Sequence, residues 1–541
     1  MTSPETGSAT AHARAVLTAL LDAGVSEVVL APGSRNAPLS FAAYDAAAAG
    51  RLRLHTRIDE RSAGFVALGL TKVGARAAVL CTSGTAVANL HPAVLEAAHA
   101  GLPLVVLTAD RPARLRGTGA NQTTDQVGIF GPLVTTRDLA AGDPLPEPEA
   151  AGPTHWNVQL DEPLVPADRW VLPPAGTSAE TEIETEAGAG VPAGTGAPHR
   201  LARGPRTVVV AGDDAGAAAR VLAERGGWPV LAEPSSGSRT GPNALRCCRL
   251  LLDTELASSI ERVVVLGHPT LSRPVSRLLA RPDVETIAVR HRGTWSDPAY
   301  PALLLGTAPE LDDAPAADPG WLAAWLAADR SVSRQLDALL AAEPALTPYD
   351  VAGAVARALP PRGLLHVGAS NPIRDLDLMA PAHPVHERRK VIANRGLAGI
   401  DGVVSTAIGA ALGRPYGSRS LALLGDVTFL HDANGLILGP DEPRPDLTIV
   451  VVNDDGGSIF ATLEQGAAEH AGPFERIFAT PHRVDLAALC AATRTPHWQV
   501  GTRAELEHAL ASPNGGIEVV EAVVGRAGRR DLDARIRALA P

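Results

Sequence analysis

The chain has 541 residues, of which 45% are hydrophobic and 20% charged, a balance expected of roughly two to four globular domains. Its 48 basic against 59 acidic residues give a net charge of −11, which argues against nucleic acid or anionic lipid as a partner. The four cysteines show no paired CxxC spacing, no apolar run reaches ~18 residues, and the first residues lack a signal-peptide pattern, so we expect a cytoplasmic protein without membrane insertion.

The first region of the chain alternates helix-like and strand-like segments. Apolar spacing over 13–21 predicts a helix, and short apolar runs predict strands at 27–30, 77–81, 104–108 and 155–160. Alternation of this kind is typical of a doubly wound parallel sheet.

A composition change separates this region from the next. Residues 171–205 are rich in Gly, Ala, Pro, Thr and Glu without an apolar period, which predicts a flexible linker. A second α/β region follows, with predicted strands at 207–212, 263–267 and 286–289. The stretch VVVAGDDAG at 208–216 lacks the full GxGxxG pattern, so a structural role is favoured there over nucleotide binding.

The third region contains three apolar runs that each end in a polar loop, at 363–368, 421–426 and 447–454. Polar groups at the carboxyl ends of strands are the usual catalytic groups of open α/β sheets. We therefore expect an α/β protein of three doubly wound parallel-sheet domains, with boundaries at 1–170, 206–345 and 346–541.

Two aspartates each end a predicted strand of the third region. Asp426 and Asp454 lie 28 positions apart, and a glycine turn with Gly456 follows the second. Magnesium prefers oxygen ligands in octahedral geometry and usually shares its shell with a phosphate group. The two carboxylates and a loop carbonyl from Gly456 therefore predict half of a metal–diphosphate site.

A charged trio, Asp59, Glu60 and Arg61, opens a predicted helix of small residues within HTRIDERSAGFVALGLTK, 55–72. On composition alone, such a trio favours a solvated helix cap over a functional site.

Eight motifs together resemble one family, the thiamine-diphosphate-dependent 2-succinyl-5-enolpyruvyl-6-hydroxy-3-cyclohexene-1-carboxylate (SEPHCHC) synthases of menaquinone biosynthesis. The resemblance runs over nearly the whole chain. Its densest parts are APGSRNAPLS (31–40), RIDER (57–61), TSGTAVANL (82–90), TADRP (108–112), GANQ (119–122), GASNPIRD (368–375), ANRGLAGIDG (393–402) and NDDGGSIF (453–460).

The resemblance implies an enzyme that decarboxylates 2-oxoglutarate and adds the resulting succinyl-semialdehyde carbanion to isochorismate in a 1,4 sense. The cofactors it implies are thiamine diphosphate and Mg2+, with Mn2+ as an alternative metal. In the family, the glutamate and the metal loop that serve one cofactor come from different subunits, which implies at least a homodimer and is compatible with a tetramer.

The resemblance also assigns site residues. Glu60 matches the glutamate placed against N1′ of the aminopyrimidine, and Ile400 matches the residue that bends the cofactor. The residues implied around the diphosphate and metal are Gly425, Asp426, Thr428, Asp454 and Gly456. Those implied on the isochorismate side are Ser34, Arg35, Arg111, Asn121 and Gln122. The resemblance implies that carboxylates of the cofactor-bound adduct are bound by Ser370, Arg374 and Arg395. The catalytic residues that it implies are Glu60, Arg374 and Arg395. Arg273 matches a position that is basic in the family. The resemblance also implies an apolar pocket wall formed by Ile459, Phe460 and Leu463, with ordinary core packing as the alternative interpretation of these three residues.

The substrates themselves favour this arginine set. Both 2-oxoglutarate and isochorismate are dianions, and planar guanidinium groups are natural carboxylate clamps. An acetolactate-synthase-type or pyruvate-decarboxylase-type enzyme, which would need an apolar donor pocket, and a cofactor-binding subunit without turnover are the alternatives.

Two further features complete the sequence. The histidines at 91, 99, 431 and 482 show no metal-ligand spacing and are interpreted as incidental. Relatives usually carry a helix where this chain has AAGDPLPEPEAA at 140–151, whose three prolines exclude a full helix.

Overall fold

The computed structural model describes residues 7–173, 199–294, 298–312, 318–414 and 419–539. Within these ranges three larger sheets, with all their strands parallel, are flanked by helices, so the predicted α/β class is confirmed. None of the described helices is long and apolar enough to cross a membrane. Most of the predicted linker, residues 174–198, lies outside the described residues.

The first region forms a six-stranded sheet. Its strands are β1 (Glu27–Leu30), β2 (Arg53–Thr56), β3 (Ala77–Cys81), β4 (Val105–Asp110), β5 (Thr135–Leu139) and β6 (Thr154–Gln159), in the order β2-β1-β3-β4-β6-β5. Its helices are α1 (Ala9–Asp22), α2 (Ala37–Ala48), α3 (Glu60–Lys72), α4 (Thr85–Asn89) and α5 (His91–Ala100). Strands β1 and β3 have the predicted bounds and are buried throughout, as strands covered on both faces should be. Residues 140–151 contain no helix, as their prolines predict.

The central region forms a five-stranded sheet and a separate strand pair. Its strands are β7 (Arg200–Leu201), β8 (Thr207–Ala211), β9 (Val230–Ala232), β10 (Arg262–Leu266), β11 (Glu285–Val289), β12 (Leu303–Leu305) and β13 (Glu310–Leu311). Its helices are α6 (Gly216–Gly226), α7 (Cys248–Leu251), α8 (Glu255–Ser258), α9 (Arg273–Leu279) and α10 (Trp321–Ala341). The sheet order is β12-β11-β10-β8-β9. Strand β7, which pairs with β13, lies inside the linker predicted over 171–205. The last part of that predicted linker is therefore partly strand.

The third region forms a second six-stranded sheet. Its strands are β14 (Leu364–Val367), β15 (Lys390–Ile392), β16 (Ser420–Gly425), β17 (Leu447–Asn453), β18 (His497–Val500) and β19 (Ile517–Val523), in the order β15-β14-β16-β17-β19-β18. Its helices are α11 (Pro348–Ala358), α12 (Asn371–Met379), α13 (Val403–Leu412), α14 (Asp426–His431), α15 (Ala471–Phe474), α16 (Leu486–Ala492), α17 (Arg503–Ala511) and α18 (Arg529–Arg537).

Helices α3 and α13 join the first and third regions at backbone contact. A Cβ on Gly69 would lie 2.2 Å from the carbonyl oxygen of Thr406, and one on Gly409 would lie 2.0 Å from that of Val66. Only glycine permits this approach. The apolar residues around the crossing belong to one core that draws on both sheets, so the predicted site residues of the two regions are held in one packed unit.

Candidate active site

The predicted site residues of the first and third regions follow the carboxyl ends of strands. Ser34 follows β1, Glu60 follows β2 and Arg111 follows β4. Ser370 follows β14, Arg395 follows β15, and the two aspartates follow β16 and β17. This is the edge of a parallel α/β sheet at which ligands bind.

The predicted metal ligands sit on adjacent parallel strands, because β16 and β17 are neighbours. Asp426 is 2% exposed, and its Oδ1 accepts the backbone N–H of Val427 at 2.7 Å. Its Oδ2 accepts the backbone N–H of Gly456 at 2.9 Å. A Cβ on Gly456 would lie 2.2 Å from the carbonyl oxygen of Ala479, so this turn requires glycine. The loop therefore holds the first carboxylate in one orientation.

Asp454, the second carboxylate, lies close enough to Asp426 for the charge of Asp426 to affect its pKa. Burial raises the pKa of Asp454 to about 7, a hydrogen bond from Ser458 opposes this, and the charge of Asp426 adds to it. Asn371 donates to the Ser458 hydroxyl at 2.8 Å, which leaves the hydroxyl hydrogen for Asp454. Two like charges close to each other favour a cation between them. In the described ranges no group of three or more His, Cys, Asp or Glu side chains could hold a metal alone. Two carboxylates and a loop carbonyl are compatible with a metal that shares its shell with a diphosphate, and the assignment of Asp426 and Asp454 as metal ligands stays a prediction.

His482 is a site residue that the sequence did not reveal. Its Nδ1 accepts the backbone N–H of Val484 at 3.0 Å, so the neutral ring carries its proton on Nε2. Nε2 lies 3.0 Å from Oδ2 of Asp426 and therefore donates to it. The interpretation of this histidine as incidental is wrong, because it supports a predicted metal ligand from 56 residues away.

The turn that carries Glu60 is docked on the third region. Asp59 caps α3 by accepting the N–H of Arg61 at 2.9 Å, and it also accepts Nδ2 of Asn434 at 3.1 Å. The guanidinium of Arg61 donates to the carbonyl of His431 at 2.7 Å. The trio therefore does include a helix cap, but the cap is Asp59. Glu60, as the first helical residue, is half-buried between two anchored neighbours.

The predicted isochorismate residues of the first region form a connected cluster. Arg111, which is buried, donates to the Ser83 hydroxyl at 2.8 Å and to the carbonyl of Gln122 at 2.9 Å. Burial, and next the charge of Arg35, lower the pKa of Arg111, while the charge of Asp110 opposes the shift. Arg35 itself donates to the carbonyl of Leu160 at 3.0 Å. Among the described residues neither arginine forms a direct ion pair, although the charge of Asp110 acts on Arg111, and two nearby cations of this kind are suited to an anionic ligand.

The remaining residues of this cluster contribute unequally. Asn121 is exposed, and in the described structure its carbonyl only accepts from Thr123. Ser34 is exposed in the loop after β1. Gln126, which the sequence did not single out, accepts the N–H of Gly84 at 2.9 Å and donates to Asn157 at 2.8 Å.

Arg374 and Arg395 form a second pair of close cations. Burial, and then the charge of Arg395, lower the pKa of Arg374, whose guanidinium donates to the carbonyl of Ser370 at 2.6 Å. Arg395 is 3% exposed and donates to the Thr270 hydroxyl at 2.6 Å. Across the described ranges, neither arginine forms an ion pair with a carboxylate of the protein. Ser370 has φ +70, a left-handed conformation imposed at the N-cap of α12.

The other predicted residues surround this pair less closely. Arg273 is exposed and paired with Glu464 at 2.6 Å, so its substrate role stays a prediction. Ile459, Phe460 and Leu463 lie in or next to the 3₁₀ segment Ser458–Thr462 and are partly exposed, which does not fit the alternative of ordinary core. Ile400 is half-buried in the loop before α13. Gly425 caps α14, in which Thr428 is buried.

Comparison with known proteins decides the family. The thiamine pyrophosphate enzyme N-terminal TPP binding domain matches residues 11–129, and the C-terminal TPP binding domain matches residues 377–520. The chain is 68% identical over 550 residues to 2-succinyl-5-enolpyruvyl-6-hydroxy-3-cyclohexene-1-carboxylate synthase of Nocardioides sp., with 100% of both chains covered. Synthases of the same name from Kineococcus radiotolerans and Paenarthrobacter aurescens are 49% and 46% identical, with at least 98% of each chain covered.

The chain belongs to the SEPHCHC synthase family. It is therefore a thiamine-diphosphate-dependent enzyme, as the motifs predict. The first matched domain contains Glu60, and the second contains both aspartates. The contacts that the sequence did not reveal, such as those of Ser83, Ser458 and His482, come from residue types too common to stand out.

Proposed function

We propose that the chain decarboxylates 2-oxoglutarate and adds the resulting succinyl-semialdehyde carbanion to isochorismate, giving 2-succinyl-5-enolpyruvyl-6-hydroxy-3-cyclohexene-1-carboxylate for menaquinone biosynthesis. Thiamine diphosphate, when bound, supplies the nucleophilic carbon and the electron sink for this chemistry. The observation that carries the proposal is the pair Arg374 and Arg395, two close cations without a carboxylate partner in the described ranges.

The donor side uses this pair. Arg395 binds the distal carboxylate that distinguishes 2-oxoglutarate from pyruvate, and Arg374 helps to neutralise the second negative charge. An acetolactate-synthase-type enzyme does not need two close cations at this place, because its donor carries no distal carboxylate. The arginine pair therefore favours the dicarboxylate donor over that alternative.

The acceptor side uses the cluster of the first region. Arg35 and Arg111 bind the carboxylates of isochorismate, and Ser83 and the carbonyl of Gln122 hold Arg111 in place. Asn121 and Ser34 complete the polar edge, while Ile459, Phe460 and Leu463 form the apolar wall. Arg273 contributes positive charge at the rim once its exposed pair with Glu464 opens.

The cofactor is held at its two ends. Asp426, Asp454 and the carbonyl of Gly456 would hold Mg2+, for which Mn2+ can substitute, and Gly425 and Thr428 would hold the diphosphate. Glu60 would share a proton with N1′ of the aminopyrimidine, and Ile400 would support the cofactor. Glu60→Gln should bind thiamine diphosphate but exchange the C2 proton much more slowly, since an amide cannot share that proton; NMR exchange at the wild-type rate would remove this role.

The working unit is a homodimer at minimum, and a tetramer is compatible with the same sites. Exposed apolar side chains next to site residues support a second copy: Ile58 is 71% exposed and Leu397 is 50% exposed. If Glu60 and the metal loop of one site come from two subunits, mixing the inactive variants Glu60→Gln and Asp426→Ala should restore activity, to about a quarter of wild type for random dimers. No recovery after verified subunit exchange would contradict shared sites.

The three regions correspond to an aminopyrimidine-binding domain over 1–170, a central domain over 206–345 and a diphosphate-binding domain over 346–541, with a linker before the central one. A cytoplasmic location is supported by the four cysteines, all free and buried.

The activity is tested with purified protein, thiamine diphosphate, Mg2+, 2-oxoglutarate and isochorismate. We expect carbon dioxide release matched by consumption of isochorismate and by one product of the SEPHCHC mass. Carbon dioxide release without consumption of isochorismate would leave only a 2-oxoacid decarboxylase.

A further inference from the structure

Arg395 lies on a loop of the third region, and side chains of the first region bind the backbone of this loop. Glu96, on α5, accepts the backbone N–H of Gly396 at 2.9 Å through Oε1 and that of Leu397 at 2.8 Å through Oε2. Both oxygens of one carboxylate therefore bind the two residues that directly follow the arginine. The contact spans 300 residues of sequence and joins two regions of the protein.

The same loop is held at its other side by Lys72, the last residue of α3. Its Nζ donates to the carbonyl of Ala393 at 2.9 Å and lies 3.6 Å from Oε1 of Glu96. The side chains of Lys72 and Glu96 are only 8% and 5% exposed. Two buried charges are costly unless they are paired and hydrogen-bonded, and here both are used on the backbone that flanks Arg395.

The contact between Glu96 and this loop depends on the close approach of Gly396 to Glu96. A Cβ on Gly396 would lie 2.8 Å from the carbonyl oxygen of Glu96 and 3.0 Å from its Oε2, so a larger residue would push the loop away. On the far side, the guanidinium of Arg395 donates to Thr270 of the central region. All three regions therefore meet at this arginine, with its backbone bound by the first and its side chain by the central one.

We propose that Glu96 is a positioning residue for Arg395, and that through it docking of the first region sets the affinity for the donor substrate. The inference rests on the proposed function, in which Arg395 binds the distal carboxylate of 2-oxoglutarate. Glu96 does not touch the substrate. It fixes the backbone from which the guanidinium reaches, and a displacement of about 1 Å at such a clamp costs up to about a hundred-fold in rate.

The test begins with Glu96→Gln, which keeps the shape but leaves one of the two backbone N–H groups facing the amide NH2 group, which cannot accept. We expect the KM for 2-oxoglutarate to rise by about ten- to a hundred-fold, with the KM for isochorismate and the affinity for thiamine diphosphate unchanged. Asp329→Asn is the matched control. Asp329 is also buried and accepts two backbone N–H groups, from Arg246 and Cys247, but has no contact with Arg395. It should lower stability without moving the KM for 2-oxoglutarate.

A double-mutant cycle separates positioning from general stability. If Glu96 acts through Arg395, adding Glu96→Gln to Arg395→Ala should leave the KM for 2-oxoglutarate as it is in Arg395→Ala alone. Additive effects of the two changes would overturn the proposal, and so would equal shifts in both substrates' KM values. An unchanged KM in Arg395→Ala itself would instead refute the proposed function.

Should Glu96→Gln not fold, Thr270→Val tests the same arrangement from the other side. It removes the hydroxyl that accepts from Arg395, keeps the side-chain shape and leaves Glu96 in place. We expect a rise in the KM for 2-oxoglutarate alone. A wild-type KM in this variant would show that the orientation of Arg395 does not control donor binding, and would overturn the proposal.

Discussion

The buried carboxyl of Glu233 should make the stability of the protein depend on pH. Its Oε1 accepts the backbone N–H groups of Thr270 and Leu271, each at 2.9 Å, while Oε2 has no hydrogen-bond partner in the described structure. Burial raises the pKa of this carboxyl to about 8, although the bond from Leu271 and the charge of Arg395 oppose the shift. Glu233→Gln keeps the accepting oxygen and removes the titration.

The direction and the size of the change in stability follow from the pKa values of Glu233 in the unfolded and the folded protein. In the unfolded chain the pKa of this carboxyl is the ordinary glutamate value of 4.5, whereas in the folded protein it is about 8. Between these values the folded protein keeps a proton that the unfolded chain releases, so the contribution of Glu233 to stability is full below pH 4.5 and is lost as pH rises through 8. At about 1.4 kcal/mol per pKa unit, the loss is on the order of 5 kcal/mol.

Denaturant titrations of wild type and Glu233→Gln between roughly pH 5 and pH 9 measure this loss. We expect the wild type to lose stability relative to the glutamine variant as pH rises, with the difference levelling above the folded pKa. Glu469→Gln, at an exposed glutamate, should parallel the wild type. A difference between wild type and Glu233→Gln that stays constant over the whole range would refute the buried, protonated carboxyl.

Three further predictions concern the metal support, the helix crossing and the donor clamp. His482→Ala should weaken Mn2+ binding about ten- to a hundred-fold in an EPR titration, while His470→Ala should not; equal affinities would remove the supporting role. Gly409→Ala should destabilise the protein by ~1–3 kcal/mol in thermal unfolding, because its Cβ would meet a carbonyl oxygen at 2.0 Å, whereas Gly525→Ala, in open space, should be neutral. Arg395→Lys should raise the KM for 2-oxoglutarate about ten-fold, since lysine cannot form two parallel bonds to a carboxylate; a wild-type KM would contradict that geometry.

The sequence predicts much of the third sheet because buried parallel strands are continuous apolar runs. The runs at 363–368, 421–426 and 447–454 match β14, β16 and β17 to within one residue at each end. The placement of Asp426 and Asp454 follows from the same signal, since strand ends of one parallel sheet meet at one edge. Strand β7, by contrast, has two residues in a Pro- and Gly-rich stretch, and only its pairing with β13 defines it.

The supporting contacts could not be predicted, because tertiary docking creates them. Glu96 lies in the middle of an ordinary helix, 300 residues from Gly396, and no local pattern distinguishes it. His482 has no second histidine or cysteine at ligand spacing, and it reaches Asp426 only because the chain at Ala479 packs against the turn at Gly456. Such residues emerge only when the distance between chain segments is known.

Donor competition tests the central claim most directly. Wild-type protein, thiamine diphosphate, Mg2+ and isochorismate are given equal amounts of 2-oxoglutarate and pyruvate, with carbon dioxide and product mass both recorded. A charge-assisted pair at Arg395 contributes about 1.5–3 kcal/mol, so we expect the 2-oxoglutarate product in roughly ten- to a hundred-fold excess, and a much smaller excess with Arg395→Ala. Comparable use of pyruvate by the wild type, or a donor ratio that Arg374→Ala and Arg395→Ala both leave unchanged, would contradict the account.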